Sequence, residues 1–167
     1  MKSTTSNLMP ELEIDIDVKD PLWLKYFSDI ENHTHDIITK TLNSQLPNVQ
    51  HIEISIVLAD NNFVQDLNKN YRGKNKPTNV LSFPQTERNE LNMPALMLGD
   101  IIIASQTIKR ESQEQEKTFK DHYTHMLVHG CLHLLHYDHT TDEQAEEMES
   151  LETEILSSLG IKNPYAL

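Results

Sequence analysis

HGCLHLLHYDH, residues 129–139, sets three of its four histidines at the spacing His-x3-His-x5-His. On a helix, residues four apart share a face with Cβ atoms about 5–6 Å apart, so His129 and His133 can aim ring nitrogens at one point roughly 2 Å from each. Continued helix would carry His139 about 9 Å along the axis from His133 and point it elsewhere. The chain must therefore turn after about Leu135 if His139 is to join them. His125 is also four residues from His129, but it stands about 12 Å up the helix from His133, too far to share one ion with it, and His122 is farther still. Both are read as partly exposed histidines or as hydrogen-bond partners of the ligands. Cys131, about 200° round the helix from His129, faces the core as a packed thiol.

Working outward from this helix and its turn, a long helix from about Lys117 to Leu135 is expected. After the turn, Thr141 or Asp142 caps a last helix with Ala145, Met148, Leu151 and Ile155 as its apolar stripe and Gly160 just past its end. Upstream, LEIDIDV (12–18) alternates with period two, as a half-buried strand does. Asp20-Pro21 opens a helical region to about Leu46 with a break near His33. HIEISIVLAD (51–60) is a second strand, followed by a helix capped at Asp60 or Asn61 and ended by Gly73. NVLSFP (79–84) and LMLGDIIIA (96–104) are strands joined by a loose hairpin, and Ser105 starts a polar helix. The order βαβαββααα describes an α+β protein: one compact domain over residues 1–167, a small mixed four-stranded sheet with helices, and a flexible polar start over 1–10.

Composition excludes several classes. The 167 residues suit a single core, and the start carries no apolar region of the secretory kind. The longest apolar stretch is interrupted by Asp100 and too short for a bilayer, so no membrane partner is expected. One cysteine makes no internal disulfide, and a cytoplasmic location is the expectation. The net charge of −12 argues against coating nucleic acid through the whole surface. Charge is unevenly placed, however. Residues 142–154 hold seven acids and no base, the pattern of a solvated helix face, whereas 69–86 carry Lys69, Arg72, Lys74 and Lys76 with no acid, a local site for an anion.

Three neutral imidazoles suit Zn2+, one per chain, although other divalent transition metals would accept them. Three protein ligands leave a fourth position open, which separates a catalytic zinc from a structural one and lowers the pKa of water held there to about 7. His136 as a fourth ligand would close that position.

The stretch is similar to the signature of the YbeY family, bacterial rRNA maturation factors also described as endoribonucleases and metal-dependent hydrolases. That signature reads His-Gly-x-Leu-His-Leu-x-Gly-Tyr-Asp-His, and ten of the eleven positions comply. The resemblance continues through LNKNYRGKNKPTNVLSFP (67–84), LGDIIIA (98–104) and MESLETEILSSLGIKNPY (148–165). The departure is His136, where the family has glycine; a left-handed backbone there costs histidine about 1–2 kcal/mol.

The resemblance implies a single-strand-specific, metal-dependent endoribonuclease acting on rRNA, in small-subunit 3′-end processing and ribosome quality control. Its implied partners are RNA and the ribosome or its proteins. It also implies that Arg72 clamps a phosphate and stabilises transition-state charge; the plainer reading is a basic residue complementing a helix C-terminus. Lys69, Lys74 and Lys76 would guide the RNA backbone, or simply form a solvated loop. Asp138 either orients a ligand imidazole or favours the turn. Two rivals remain. A metzincin-like protease shares the histidine spacing but needs a Glu where this chain has Gly130. A noncatalytic assembly factor would use zinc only to brace its fold.

Overall fold

The structure, a computed structural model, describes residues 11–73 and 78–166. Residues 1–10, Lys74 and Lys76 lie outside them. The elements are β1 (Glu11–Val18), α1 (Leu22–Tyr26), α2 (Ile30–Gln45), β2 (His51–Ala59), α3 (Asn61–Arg72), β3 (Val80–Pro84), a 3₁₀ turn (Arg88–Glu90), β4 (Ala95–Ala104), α4 (Ser105–Glu114), α5 (Phe119–Leu134) and α6 (Asp142–Ser158). The expected order holds with one addition. The first helical region is two helices, and the break falls at 27–29, ahead of the expected His33. Trp23 causes the early break: it is fully buried, donates Nε1–H to the Ala59 carbonyl at 2.9 Å, and packs edge-on against Tyr123 and Phe119. So anchored, α1 cannot continue along the axis that α2 takes.

Four strands form one sheet in the order β1-β2-β4-β3, with β1, β2 and β4 parallel and β3 antiparallel to β4. The α+β expectation, with its mixed four-stranded sheet, is thus met. β1 alternates exposed and half-buried residues along its whole length, as its period-two sequence requires of an edge strand. β4 is apolar on both sides because both faces of the sheet are covered there. Ile101 and Ile103 join the main core with α2 and α5, while Ile102 and Ala104 join a smaller one with Val64 of α3. Asp60 accepts the Phe63 amide at 2.9 Å to cap α3, and Gly73 ends it at φ 70°.

The main core presses α5 tightly against β3 and β4. A Cβ added to Gly130 would lie 2.9 Å from Ile101 Cγ2, and the Ser82 hydroxyl donates to the Gly130 carbonyl at 3.1 Å. The helix is therefore fixed in rotation, and the direction of its histidine face is fixed with it.

Candidate metal centre

α5 brings His129 and His133 to the same face, and their Nε2 atoms stand 3.0 Å apart. The helix then ends in a Schellman motif: the Tyr137 amide donates to Leu132 O at 3.0 Å and the His136 amide to His133 O at 2.9 Å. His136 occupies the left-handed position of that motif at φ 70°, the place where glycine usually stands. Its ring lines the cleft but stands outside the trio, and Nε2–H donates to the Thr86 carbonyl at 2.6 Å. His136 is thus engaged elsewhere, and the turn survives the departure from glycine.

The turn returns His139 to the helix. One nitrogen from each of His129, His133 and His139 lies within 4.8 Å of the others, a cluster a cation can join at about 2.0–2.1 Å from each. The donor set fits such an ion. His133 is held down to about 4 by burial and by the neighbouring His129 and His139 rings, so its ring stays neutral and keeps a free lone pair at neutral pH. The three rings open into a cleft of about 670 Å³ whose far wall includes Thr78, Asn79 and Ser82.

Asp138 accepts the His139 backbone amide at 2.8 Å, which supports the turn. The carboxylate that meets a ring of the trio belongs to Glu152, on α6. Its Oε2 accepts from His129 Nδ1–H at 2.8 Å, and its Oε1 accepts from His125 Nε2–H at 2.7 Å and from the Tyr165 hydroxyl. Burial alone would push the Glu152 carboxyl up; the hydrogen bonds from His125, His129 and Tyr165 outweigh it and hold the group at about 2. Here the reading of 142–154 as a solvated face needs correction, because Glu152 is 0% exposed. The sequence did carry a signal. Glu152 stands four residues from both Met148 and Leu156, inside the apolar stripe, where an acid is either paired or very costly.

His122 and His125 also differ from the expectation of partial exposure. Both are buried, His122 against Glu111 at 2.8 Å and His125 against Glu152. Cys131 is fully buried, and burial pushes its thiol up to about 12. Met148 packs in the core. Of the basic residues, Lys69 is exposed on α3 and does not line the cleft, and Arg72 is the last residue of α3. Thr78 and Asn79, which follow the undescribed segment holding Lys74 and Lys76, do line it.

The family profile described as Endoribonuclease YbeY matches residues 24–160 of this sequence. The chain belongs to the YbeY family. A YbeY protein of Agrobacterium fabrum, named Endoribonuclease YbeY, is 43% identical over 164 residues, covering 95% of this chain and 97% of that one. Its namesake from Paramagnetospirillum magneticum is 44% identical over 158 residues, 92% and 96% of the two chains. One from Rhizobium etli reaches 57% over 113 residues, 68% and 66% of the two chains. A solution structure from Thermotoga maritima, TM1509, superposes with a TM-score of 0.54 at 22% identity over 88% of this chain and 91% of that one, a likeness of fold. The YbeY resemblance read from HGCLHLLHYDH is therefore shown for most of the chain.

Proposed function

We propose that this protein is an endoribonuclease that acts in rRNA maturation, with His129, His133 and His139 holding one Zn2+. The observation that carries this reading is the convergence of three imidazoles on an open cleft, in a chain whose relatives are named Endoribonuclease YbeY. When bound, the cation supplies Lewis acidity and an open coordination position at the scissile phosphate.

The chain's own residues do the rest. The cleft takes the RNA backbone between the histidine trio and the wall of Thr78, Asn79 and Ser82. Arg72 clamps a phosphate and opposes the charge that builds up as the phosphodiester is cut. Lys69, Lys74 and Lys76 draw the strand in without reading its bases. The cut site is single-stranded, as in the 3′ end of small-subunit rRNA, and positioning is shared with ribosomal proteins, since an aromatic content of 6% offers little for base stacking. These reactions belong to the cytoplasm; among the described residues no helix is long and apolar enough to cross a membrane.

Gly130 weighs against a peptidase of metzincin design. The position that would carry the general base is packed on Ile101 with no room for a Cβ, let alone a carboxylate. The test compares wild type, His133→Ala and Arg72→Ala, zinc-loaded and free of contaminating nuclease, on structured rRNA. Wild type should cut, Arg72→Ala should lose on the order of a hundredfold or more in rate, and His133→Ala should be inactive. Equal cutting by all three would defeat the proposal, and RNA binding without cutting by wild type would favour the noncatalytic assembly factor.

A further inference from the structure

Glu152 buries a full charge where α6 is otherwise apolar: Met148, Ile155 and Leu156 around it are all in the core. If position 152 served only to hold α6 against α5, an apolar side chain of similar volume would serve as well or better, because desolvating a carboxylate costs several kcal/mol. The pattern of its contacts is more specific than bracing requires. Oε1 is pinned by two donors, His125 Nε2–H and the Tyr165 hydroxyl, which fixes the rotation of the carboxylate. Oε2 is thereby presented to one group, His129 Nδ1–H at 2.8 Å.

A carboxylate can only accept at that contact, so the His129 proton must sit on Nδ1. Nε2 then carries a lone pair, and Nε2 is the atom 3.0 Å from His133 Nε2, at the focus of the trio. Without Glu152 the ring would be free to turn or to carry its proton on Nε2, and either change removes a ligand atom.

We infer that Glu152 is a positioning residue of the metal centre, which fixes the tautomer and orientation of His129, and that Tyr165 and His125 hold Glu152 in register for that task. The inference rests on the reading of His129, His133 and His139 as metal ligands. It also ties the centre to the C-terminal segment, since Tyr165 lies beyond α6 and reaches back to the carboxylate.

Glu152→Gln is the sharpest variant, because the amide keeps the shape and replaces one acceptor oxygen with a donor. Its NH2 must face either His129 Nδ1–H or the His125 and Tyr165 donors. Zn2+ affinity is measured on the full chain by competition with a chromophoric chelator, beside urea unfolding of the metal-free protein. The variant should bind Zn2+ 10- to 100-fold more weakly, while a folded variant with wild-type affinity would overturn the inference. A second measurement needs no variant: ring-nitrogen NMR of metal-free wild type, at a pH where the ring is neutral, should find the single His129 proton on Nδ1, and a neutral ring with its proton on Nε2 would overturn it even if Glu152→Gln fails to fold. Neither readout uses RNA. A protein that binds zinc in this way yet leaves rRNA intact would defeat the proposed activity and leave the role of Glu152 standing.

Discussion

Glu111 and Glu152 make the same bond with the same helix to different ends. Each accepts from a buried histidine of α5, His122 in one case and His125 in the other, three residues apart. Glu111 uses its remaining capacity on Asn79 Nδ2–H at 3.0 Å, at the rim of the cleft, and so ties α4, α5 and the start of β3 together. Glu152 uses its second oxygen on His129. Both carboxyls are depressed and both bond a buried histidine, so neither property tells a brace from a site. The destination of the second hydrogen bond does.

Removing a ligand should produce the largest effect on that contrast. His129→Ala is expected to weaken zinc binding on the order of a hundredfold or more, as the loss of one of three ligands requires. His122→Ala, about two turns away, should leave affinity within about threefold while costing roughly 1–3 kcal/mol of stability through the donor that Glu111 loses. Chelator competition and urea unfolding read the two quantities separately, and a His122→Ala protein that loses its metal would erase the distinction.

Acid should separate the groups next. Glu152 and Glu111 are depressed in the folded chain, Glu152 to about 2, so their stabilisation is complete above the usual carboxylate value and is lost as pH falls from about 4.5 towards 2. His125, depressed mainly by burial, and His133, held at about 4, act in the window above: the unfolded chain takes up protons below about 6.5 and the folded one does not, so stability again falls with pH. Metal-free protein should therefore lose stability progressively from pH 7 to pH 3. Glu152→Gln should flatten the part of the curve below 4.5, and a variant curve parallel to wild type there would contradict the hydrogen bonds assigned to Glu152.

The smallest effect is expected at the turn. His136→Gly relieves a left-handed histidine, worth about 1–2 kcal/mol, but gives up the hydrogen bond to Thr86 and adds chain entropy to the unfolded state. The terms nearly cancel, and stability should stay within about 1 kcal/mol of wild type with zinc affinity unchanged. A large loss of affinity would mean that His136 does more than close the turn.

What was legible in the sequence follows from the range of the forces involved. Period-two and helical patterns report local burial, and they placed β1, β2, α3, α5 and α6, with N-caps narrowed to Asp60 or Asn61 and to Thr141 or Asp142, of which the structure uses Asp60 and Thr141, and with Gly73 ending α3. The His129, His133 and His139 trio was legible because two members share a helix and the third is six residues on, so short-range geometry suffices. The break between α1 and α2 was misplaced because Trp23 donates its hydrogen bond to the carbonyl of Ala59, 36 residues away. Glu152 was misread for a related reason. Its partners lie on α5 and beyond α6, and counting acids along 142–154 hid the one that falls on the apolar stripe. Whether Arg72, Lys69, Lys74 and Lys76 meet a phosphate depends on the cleft between β3 and the end of α5, a long-range feature that no local pattern reports.

Cys131 sits two residues from His129 on the shielded side of the same helix. Because its sulfur is sealed from solvent and reluctant to ionise, a thiol-modifying dye can reach it only when α5 comes away from the sheet. The rate of dye uptake thus becomes a clock for opening of the ligand-bearing helix, and loading with zinc should slow that clock by a factor of one plus the ratio of free Zn2+ concentration to Kd, so that the logarithm of the rate tracks the free energy of binding.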